Sequence, residues 1–240
     1  MSIDKQNAWS YRRGRPGIAL EYAFWRGAAA PDLATHFHAD AQLTIVLSGR
    51  RAFDVGSARV TVLAGQCLYI PAKSPHRSLP LFCEGTRCLN IYAAIGGVGR
   101  SPIVIDVPEL AGEDDNVDRA MLLSMIAPRL QDDGRRGQQE NDAPPWLGIL
   151  PGGSEAIGDI AARIGLSREG FSRKFARDVG MAPHAWCIVN RLNEARRRLR
   201  QGDSIAGLAA ELDFADQSHF GRQFRRVFGI TPRAYREGMR

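Results

Sequence analysis

Two hydrophobic periods divide this chain. From Ile18 to about Tyr92, apolar residues gather in short β-like runs separated by turn signals: LTIVLSG, RAFDV ahead of Gly56-Ser57, ARVTVLAGQ, CLYIPAKSP and RCLNIYAAI. Short runs at near-regular spacing predict a β-barrel or sandwich. Pro71 and Pro75 tighten the turn that leads to His76. From Ile157 onward the spacing changes to three and four residues. Ile157, Ile160, Ala161 and Ile164 mark one face of a helix, Gly165 breaks it, and Ser167 stands where an N-cap would start REGFSRKFARDVG.

The helical pattern then recurs. Ile160/Ala161 match Leu208/Ala209 and Leu166 matches Phe214 at an offset of 48 residues. Beyond the turn, Phe171/Phe220, Arg173/Arg222, Phe175/Phe224, Gly180/Gly229, Pro183/Pro232 and Trp186/Tyr235 match at 49. One unit therefore occurs twice, with a one-residue insertion in its second turn. Each copy reads as helix, short turn, helix, the outline of a helix-turn-helix. In the second copy Asp216 is placed to cap QSHFGRQFRRVFG, and Gly229 ends it. Between the copies a connecting helix is expected: Ile188, Leu192, Ala195 and Leu199 form its apolar stripe, with Arg196, Arg197, Arg198 and Arg200 spread around the rest. The repeated phenylalanines, Trp186 and Tyr235 are core positions by the same spacing.

After Pro108, NVDRAMLLSMIAP places Val117, Met121, Leu122, Met125 and Ile126 on one helical face, with a stop expected near Pro128. Such a face either packs on the barrel or pairs with a second copy of the chain; pairing is the expectation here. Gln131 to Gly153 is polar, punctuated by Gly and Pro, and reads as a linker. The expected organisation is an α+β two-domain chain: a barrel over 1–108, a helical dimerisation segment over 109–130, a linker over 131–153 and an all-α domain over 154–240.

Charge sharpens this division. The 240 residues carry a net +6. Residues 1–151 hold 16 basic and 16 acidic side chains, whereas residues 152–240 hold 16 and 10, so the helical segment supplies the whole excess. A basic module beside a neutral one suits a nucleic-acid partner. No window approaches the roughly 18 apolar residues of a membrane span, and the N-terminus lacks a signal-peptide core; a cytoplasmic protein without a membrane partner is expected. Cys67, Cys83, Cys88 and Cys187 are too few and too scattered for a disulfide framework. The first three leave a small opening for soft-metal or redox sensing, against the plainer reading of buried thiols.

The stretch SIAGLAAELDFADQSHFGRQFRRVFGITPRAYR resembles the signature of the AraC/XylS family of bacterial transcription regulators, over about Gly153 to Arg240. The resemblance implies a double helix-turn-helix on a long connecting helix, reading two successive major-groove segments of double-stranded DNA about one helical turn apart. Within that frame the candidate base readers are Arg168, Glu169, Ser172 and Arg173 in the first unit, and Gln217, Ser218, His219 and Arg222 in the second. Arg suits guanine and Gln suits adenine, which favours Arg173, Arg222 and Gln217. Arg177, Arg225, Arg226 and Arg233 suit phosphates. For any single arginine the alternative is a solvent-facing helix position.

The motif HFHADAQLTIVLSG, followed by GQCLYIPAKSPH, resembles the two motifs of the cupin barrel, which AraC-type regulators often carry as an effector-binding and dimerisation domain. The resemblance implies that His36, His38, Gln42 and His76 face inward. Gln42 stands where a glutamate is usual, Lys73 where a glycine is, and Pro80 where an asparagine is common. Three readings of the cluster stay open: a site for one divalent ion such as zinc, nickel or copper, a polar floor for a small organic effector, or structural residues of the barrel. No carboxylate belongs to the motif, and Asp40 would join only if its loop bent inward, which counts against an enzyme. The expected function is an effector-controlled, dimeric, sequence-specific transcription regulator that contacts RNA polymerase if it activates. A constitutive DNA-binding protein whose barrel only dimerises, or a cupin metalloenzyme with an appended DNA-binding domain, are the alternatives.

Overall fold

The computed structural model describes residues 8–14, 21–29, 32–112, 119–136 and 157–239. Nine strands form two antiparallel sheets: β1 (Ala8–Arg13), β2 (Glu21–Ala29), β3 (Ala41–Ser48), β4 (Arg50–Val55), β5 (Ala58–Leu63), β6 (Gln66–Ile70), β7 (His76–Ser78), β8 (Phe82–Ala93) and β9 (Ile103–Asp106). The larger sheet runs β1-β2-β8-β3-β6-β9 and the smaller β5-β4-β7. Strands β1, β2, β7 and β9 lie outside the quoted apolar runs; β1 in particular, AWSYRR, is too charged to announce itself.

Strand β3 shows why the runs are continuously apolar rather than alternating. It is central, paired with β6 on one side and β8 on the other. Its Val46 faces the barrel interior with Trp25, Phe53, Val62 and Leu68. Leu43, Ile45 and Leu47 face outward, into a second core that includes Leu122, Ile126 and Leu130. Those three belong to α1 (Arg119–Arg136), which covers the outer face of the large sheet. A strand buried on both faces has no polar side to show.

This corrects two expectations about the helix. The apolar face expected to pair with a second copy is used within the chain, because the outer sheet face needs a cover; Leu122, Ile126 and Leu130 are each at most 2% exposed. The helix also runs through Pro128 to Arg136, into the segment expected to be linker. Packing of Ile126 and Leu130 on either side offsets the local cost of the proline. Val117, the side chain of Met121, and the remaining linker over 137–153 lie outside the described residues.

The helical half follows its sequence pattern closely: α2 (Ile157–Arg163), α3 (Arg168–Val179), α4 (Pro183–Gln201), α5 (Ile205–Glu211), α6 (Gln217–Phe228) and α7 (Pro232–Gly238). Ser167 accepts from the Gly170 N–H and Asp216 from the His219 N–H, the two expected N-caps. Gly180 and Gly229 close α3 and α6 at φ of 81° and 75°, in the left-handed region that favours glycine.

The halves share a core. Tyr11, Ala23, Phe37 and Tyr92 of the barrel lie in one apolar cluster with the helical residues. Phe37, between the two histidines, points away from them and stacks on Trp186 of α4 with ring centroids 3.9 Å apart. Alternation along the HFH segment thus sends its histidines into the barrel and its phenyl ring into the helical domain.

Candidate metal centre and nucleic-acid interface

The histidine motifs are tied together by backbone before any side chain is considered. His36 and His76 exchange both N–H···O=C bonds, at 2.9 and 2.8 Å, and the Lys73 N–H donates to the His38 carbonyl at 2.8 Å. Lys73 holds φ at 57°, the left-handed conformation that accounts for the glycine usual at this place in the motif. Gln42 is on β3 with its side chain in the same small cavity.

His36, His38 and His76 are all buried, and one nitrogen from each lies within 4.8 Å of the others. Among the described residues no carboxylate or thiol joins this group, Asp40 included. Burial pushes all three imidazoles below their ordinary pKa, His76 to about 4, so each is neutral near pH 7. For His36 the charge of His76 adds to this, and for His38 that of Arg196 does.

The rings differ in which nitrogen carries hydrogen. His36 Nδ1 lies 2.8 Å from the Ala34 carbonyl and His76 Nδ1 lies 2.9 Å from the Ser74 carbonyl. A carbonyl only accepts, so both rings donate from Nδ1 and keep a lone pair on Nε2, the orientation that backbone carbonyls impose on ligating histidines. At His38, Arg196 Nη1 donates to Nδ1 across 2.7 Å. Arginine only donates, so the hydrogen of neutral His38 sits on Nε2.

Nε2 of His38 and His76 and Oε1 of Gln42 are buried without hydrogen-bond partners, while Gln42 Nε2 donates to Thr44 at 2.8 Å. The lone pairs on His76 Nε2 and Gln42 Oε1 fit an ion of zinc, nickel or copper type, whereas His38 Nε2 would join them only after giving up its hydrogen. The cavity they line is about 20 Å³, room for one water-sized occupant. A larger cleft of about 740 Å³ lies between barrel and helices, lined by Leu33, Arg77, Met181, His184, Ile188 and Arg226 among others.

Arg196 joins the cluster to the helical half, a role its place in an arginine run did not reveal. It is 4% exposed, and its Nε donates to Glu21 Oε1 at 2.8 Å, with Nη2 on the same oxygen. Arg200 at 2.5 Å and the Tyr235 hydroxyl at 2.8 Å donate to the other Glu21 oxygen. Burial opposes the charge on Arg196, but Glu21 and the surrounding phenols hold its pKa above the ordinary value. So Arg196 and Arg200 face the barrel rather than spreading around the helix. Arg197 pairs with Glu194, and Arg198 with Asp203 and Glu211, on the remaining faces.

The sequence-derived base readers fall on the N-terminal parts of α3 and α6. Phe171 and Phe175, and Phe220 and Phe224, point inward. Arg168, Glu169, Arg173, Gln217, Ser218 and Arg222 are exposed. Ser172 is half-buried and its hydroxyl donates to the Arg168 carbonyl at 2.8 Å. His219 is also half-buried, its ring 5.7 Å from Phe214. The Arg226 side chain is exposed beside the interdomain cleft, and its carbonyl accepts from the Ala34 N–H at 3.2 Å. The thiols of Cys67 and Cys88 are buried, and burial raises both above the ordinary thiol value.

A cupin-type barrel docked against two repeated helix-turn-helix units defines a two-domain protein of the helix-turn-helix class. Residues 160–238 match the helix-turn-helix domain family and residues 23–89 the cupin domain family. In having a cupin domain followed by a helix-turn-helix domain the chain is similar to AraC-type transcription regulators. It is 31% identical over 135 residues to the transcriptional activator RhaS of Pectobacterium atrosepticum, covering 55% of this chain and 48% of that one. It is 34% identical over 83 residues to the regulator ExsA of Pseudomonas aeruginosa, covering 34% and 27%. The chain thus spans about half or less of the curated relatives it matches. An apo form of ToxT from Vibrio cholerae shares the two-domain fold: the TM-score is 0.64 at 10% identity, over 95% of this chain and all of that one. Among the described residues no helix is long and apolar enough to cross a membrane.

Proposed function

We propose that this chain is a sequence-specific DNA-binding transcription regulator whose affinity for DNA is set by a divalent ion of zinc, nickel or copper type at His36, His38 and His76, with Gln42 beside them. Helices α3 and α6 are the reading heads, with Arg168, Glu169, Ser172 and Arg173, and Gln217, Ser218, His219 and Arg222, facing bases, and Arg226 near the backbone. The observation that carries the control step is the hydrogen bond from Arg196 of α4 to His38. Arg196 keeps hydrogen on the very nitrogen that an ion would need, so ion binding and this interdomain contact oppose each other. By linkage each weakens the other through the same coupling free energy.

The cavity size favours an ion over an organic effector in the barrel, and the lack of a carboxylate in the cluster weighs against an enzyme. The partners in this reading are double-stranded DNA, the ion, a second copy of the chain and, for an activator, RNA polymerase. A second reading places an organic effector in the interdomain cleft, which has ligand-sized volume; ToxT has been solved with an unsaturated fatty acid bound.

The test is operator binding by the full chain at fixed salt, after selection of its preferred duplex, with the protein chelator-treated or loaded with zinc, nickel or copper. One ion per chain and a shift in DNA affinity of about 5-fold or more are expected, both lost in His76→Ala. DNA binding indifferent to every ion and to His76→Ala would leave a constitutive regulator and overturn the control step. Binding that ignores duplex sequence would overturn the whole reading.

A further inference from the structure

We propose that Phe228, the last residue of α6, couples the histidine cluster to the second helix-turn-helix unit alone, so that the ion changes how one half of the operator is read and leaves the other half unchanged. The inference rests on the ion control proposed above and adds where that control acts. Phe228 is fully buried and packs on the cluster itself. Its ring centroid lies 5.9 Å from that of His38, the planes 27° apart, and 6.5 Å from that of His36, edge to face. The Arg196 guanidinium carbon stands 4.8 Å from the same ring. A second connection runs through backbone. The Ala34 carbonyl accepts from His36 Nδ1 at 2.8 Å, and the Ala34 N–H donates to the Arg226 carbonyl of α6 at 3.2 Å.

The first unit departs from this arrangement at the matching place. At the offset of 49 that relates the units, Val179 stands where Phe228 does, so α3 ends on an aliphatic side chain with no ring to stack. Gly180 and Met181, which follow it, border the open interdomain cleft. The barrel reaches this unit through Phe37 on Trp186, and Phe37 points away from the histidines.

The groups that an ion disturbs also point to α6. His38 turns Nε2 to an ion only by giving up the hydrogen there, and with it the bond from Arg196 Nη1. Helix α4 does not depend on that bond. Arg196 Nε and Nη2 stay on Glu21, Arg200 holds the other Glu21 oxygen, and Asn193 donates to the Phe37 carbonyl at 2.9 Å. Phe228 lies against both groups that part, and in a close-packed interior its ring follows them. Helix α6 has 12 residues, short enough to move as one body, so a shift at Phe228 reaches Gln217 and Arg222. Phe228 is thus a positioning residue, acting on bases through the helix it ends.

The experiment measures binding of the full chain to its selected duplex and to every single base-pair variant of it, chelator-treated and zinc-loaded, at fixed salt. Arg173→Ala and Arg222→Ala assign the two halves by the base positions each relaxes. Zinc should change the penalties for base changes in the Arg222 half by about 5-fold or more, and those in the Arg173 half by less than about 2-fold. Phe228→Leu should still bind one zinc per chain and lose this zinc-dependent pattern. Tyr11→Phe, which removes the hydroxyl bonded to the Phe228 carbonyl, should weaken it, and decides the matter if Phe228→Leu does not fold. Trp186→Phe, at the contact of the first unit, should keep the pattern in full. A zinc effect spread evenly over both halves, one confined to the Arg173 half, or one retained in full by Phe228→Leu overturns this inference and leaves the ion control standing. No zinc effect on DNA binding by the wild-type chain overturns the control step and this inference with it.

Discussion

The two helix-turn-helix units are close copies in sequence, yet the barrel holds them by different chemistry. Trp186 in the first and Tyr235 in the second occupy equivalent places in the repeat. Trp186 stacks on Phe37, an apolar contact without direction. Tyr235 gives its hydroxyl to Glu21 beside Arg196 and Arg200, an ionic contact that demands one orientation. The glycines that close α3 and α6 differ in the same way. A Cβ on Gly180 would meet nothing within 4 Å, whereas one on Gly229 would come 2.6 Å from the Trp9 indole. The Phe228 carbonyl also accepts from the Tyr11 hydroxyl at 2.9 Å. A repeat determines how each unit folds; only contact with the barrel distinguishes them, and that contact is polar and specific at the second unit.

The largest test of this asymmetry is Glu21→Leu, which leaves Arg196 buried without a carboxylate. It should cost about 3–5 kcal/mol in chemical denaturation and separate the unfolding of barrel and helices into two transitions. A loss below 1 kcal/mol would show the network to be incidental.

Next, Gly180→Ala and Gly229→Ala carry the same backbone penalty of about 1–2 kcal/mol. Gly229→Ala should exceed its partner by a further ~1–3 kcal/mol for the clash with Trp9. Equal losses would erase the distinction between the units.

The cluster that faces the second unit also has a pH signature. In the folded, chelator-treated chain His76 titrates near 4, against roughly 6.5 when unfolded. Between those values the unfolded chain binds more protons, so stability should fall as pH drops from 6.5 towards 4, by about 2–3 kcal/mol from His76 alone. His36 and His38 shift in the same direction. Above pH 7 the curve should be flat with respect to these groups. Denaturation midpoints that stay constant between pH 7 and 4.5 would contradict the buried, neutral cluster.

The smallest expected effects separate two arginines of one helix. Arg222→Ala should cost about 1–3 kcal/mol on the preferred duplex and relax one base position. Arg226→Ala, beside the cleft, should weaken binding less, evenly across sequences, and lower the salt slope. Equal, sequence-independent losses in both would return Arg222 to a solvent-facing role.

Much of this architecture was legible from local pattern. The repeat, its N-caps at Ser167 and Asp216 and its closing glycines follow from residues within a few positions of each other, and the structure places them as read. His36, His38 and His76 were legible as a group through the resemblance to the cupin motifs, and the structure brings them together. Other features were not. Strand β1 carries too many charges to look like a strand, though its Trp9 and Tyr11 form part of the interface. The apolar face of α1 has the same pattern whether it covers a sheet or a second copy, and only the bare outer face of the sheet decides. Arg51 and Arg196 look like any surface arginine of a basic chain.

By itself the sequence determined the helices of the repeat and where they stop, the central strands, and that two similar helix-turn-helix units follow a histidine-bearing barrel. These are near-neighbour matters of periodicity, capping and turn chemistry. Tertiary structure alone decided which charges lie out of water and what answers them. Arg196 meets Glu21 across 175 residues, while Arg51, without a carboxylate among the described ion pairs, lies among Trp9, Trp25 and Phe53. The physical reason is that the cost of a buried charge depends on everything that surrounds it, and those surroundings come together only when distant parts of the chain close over it.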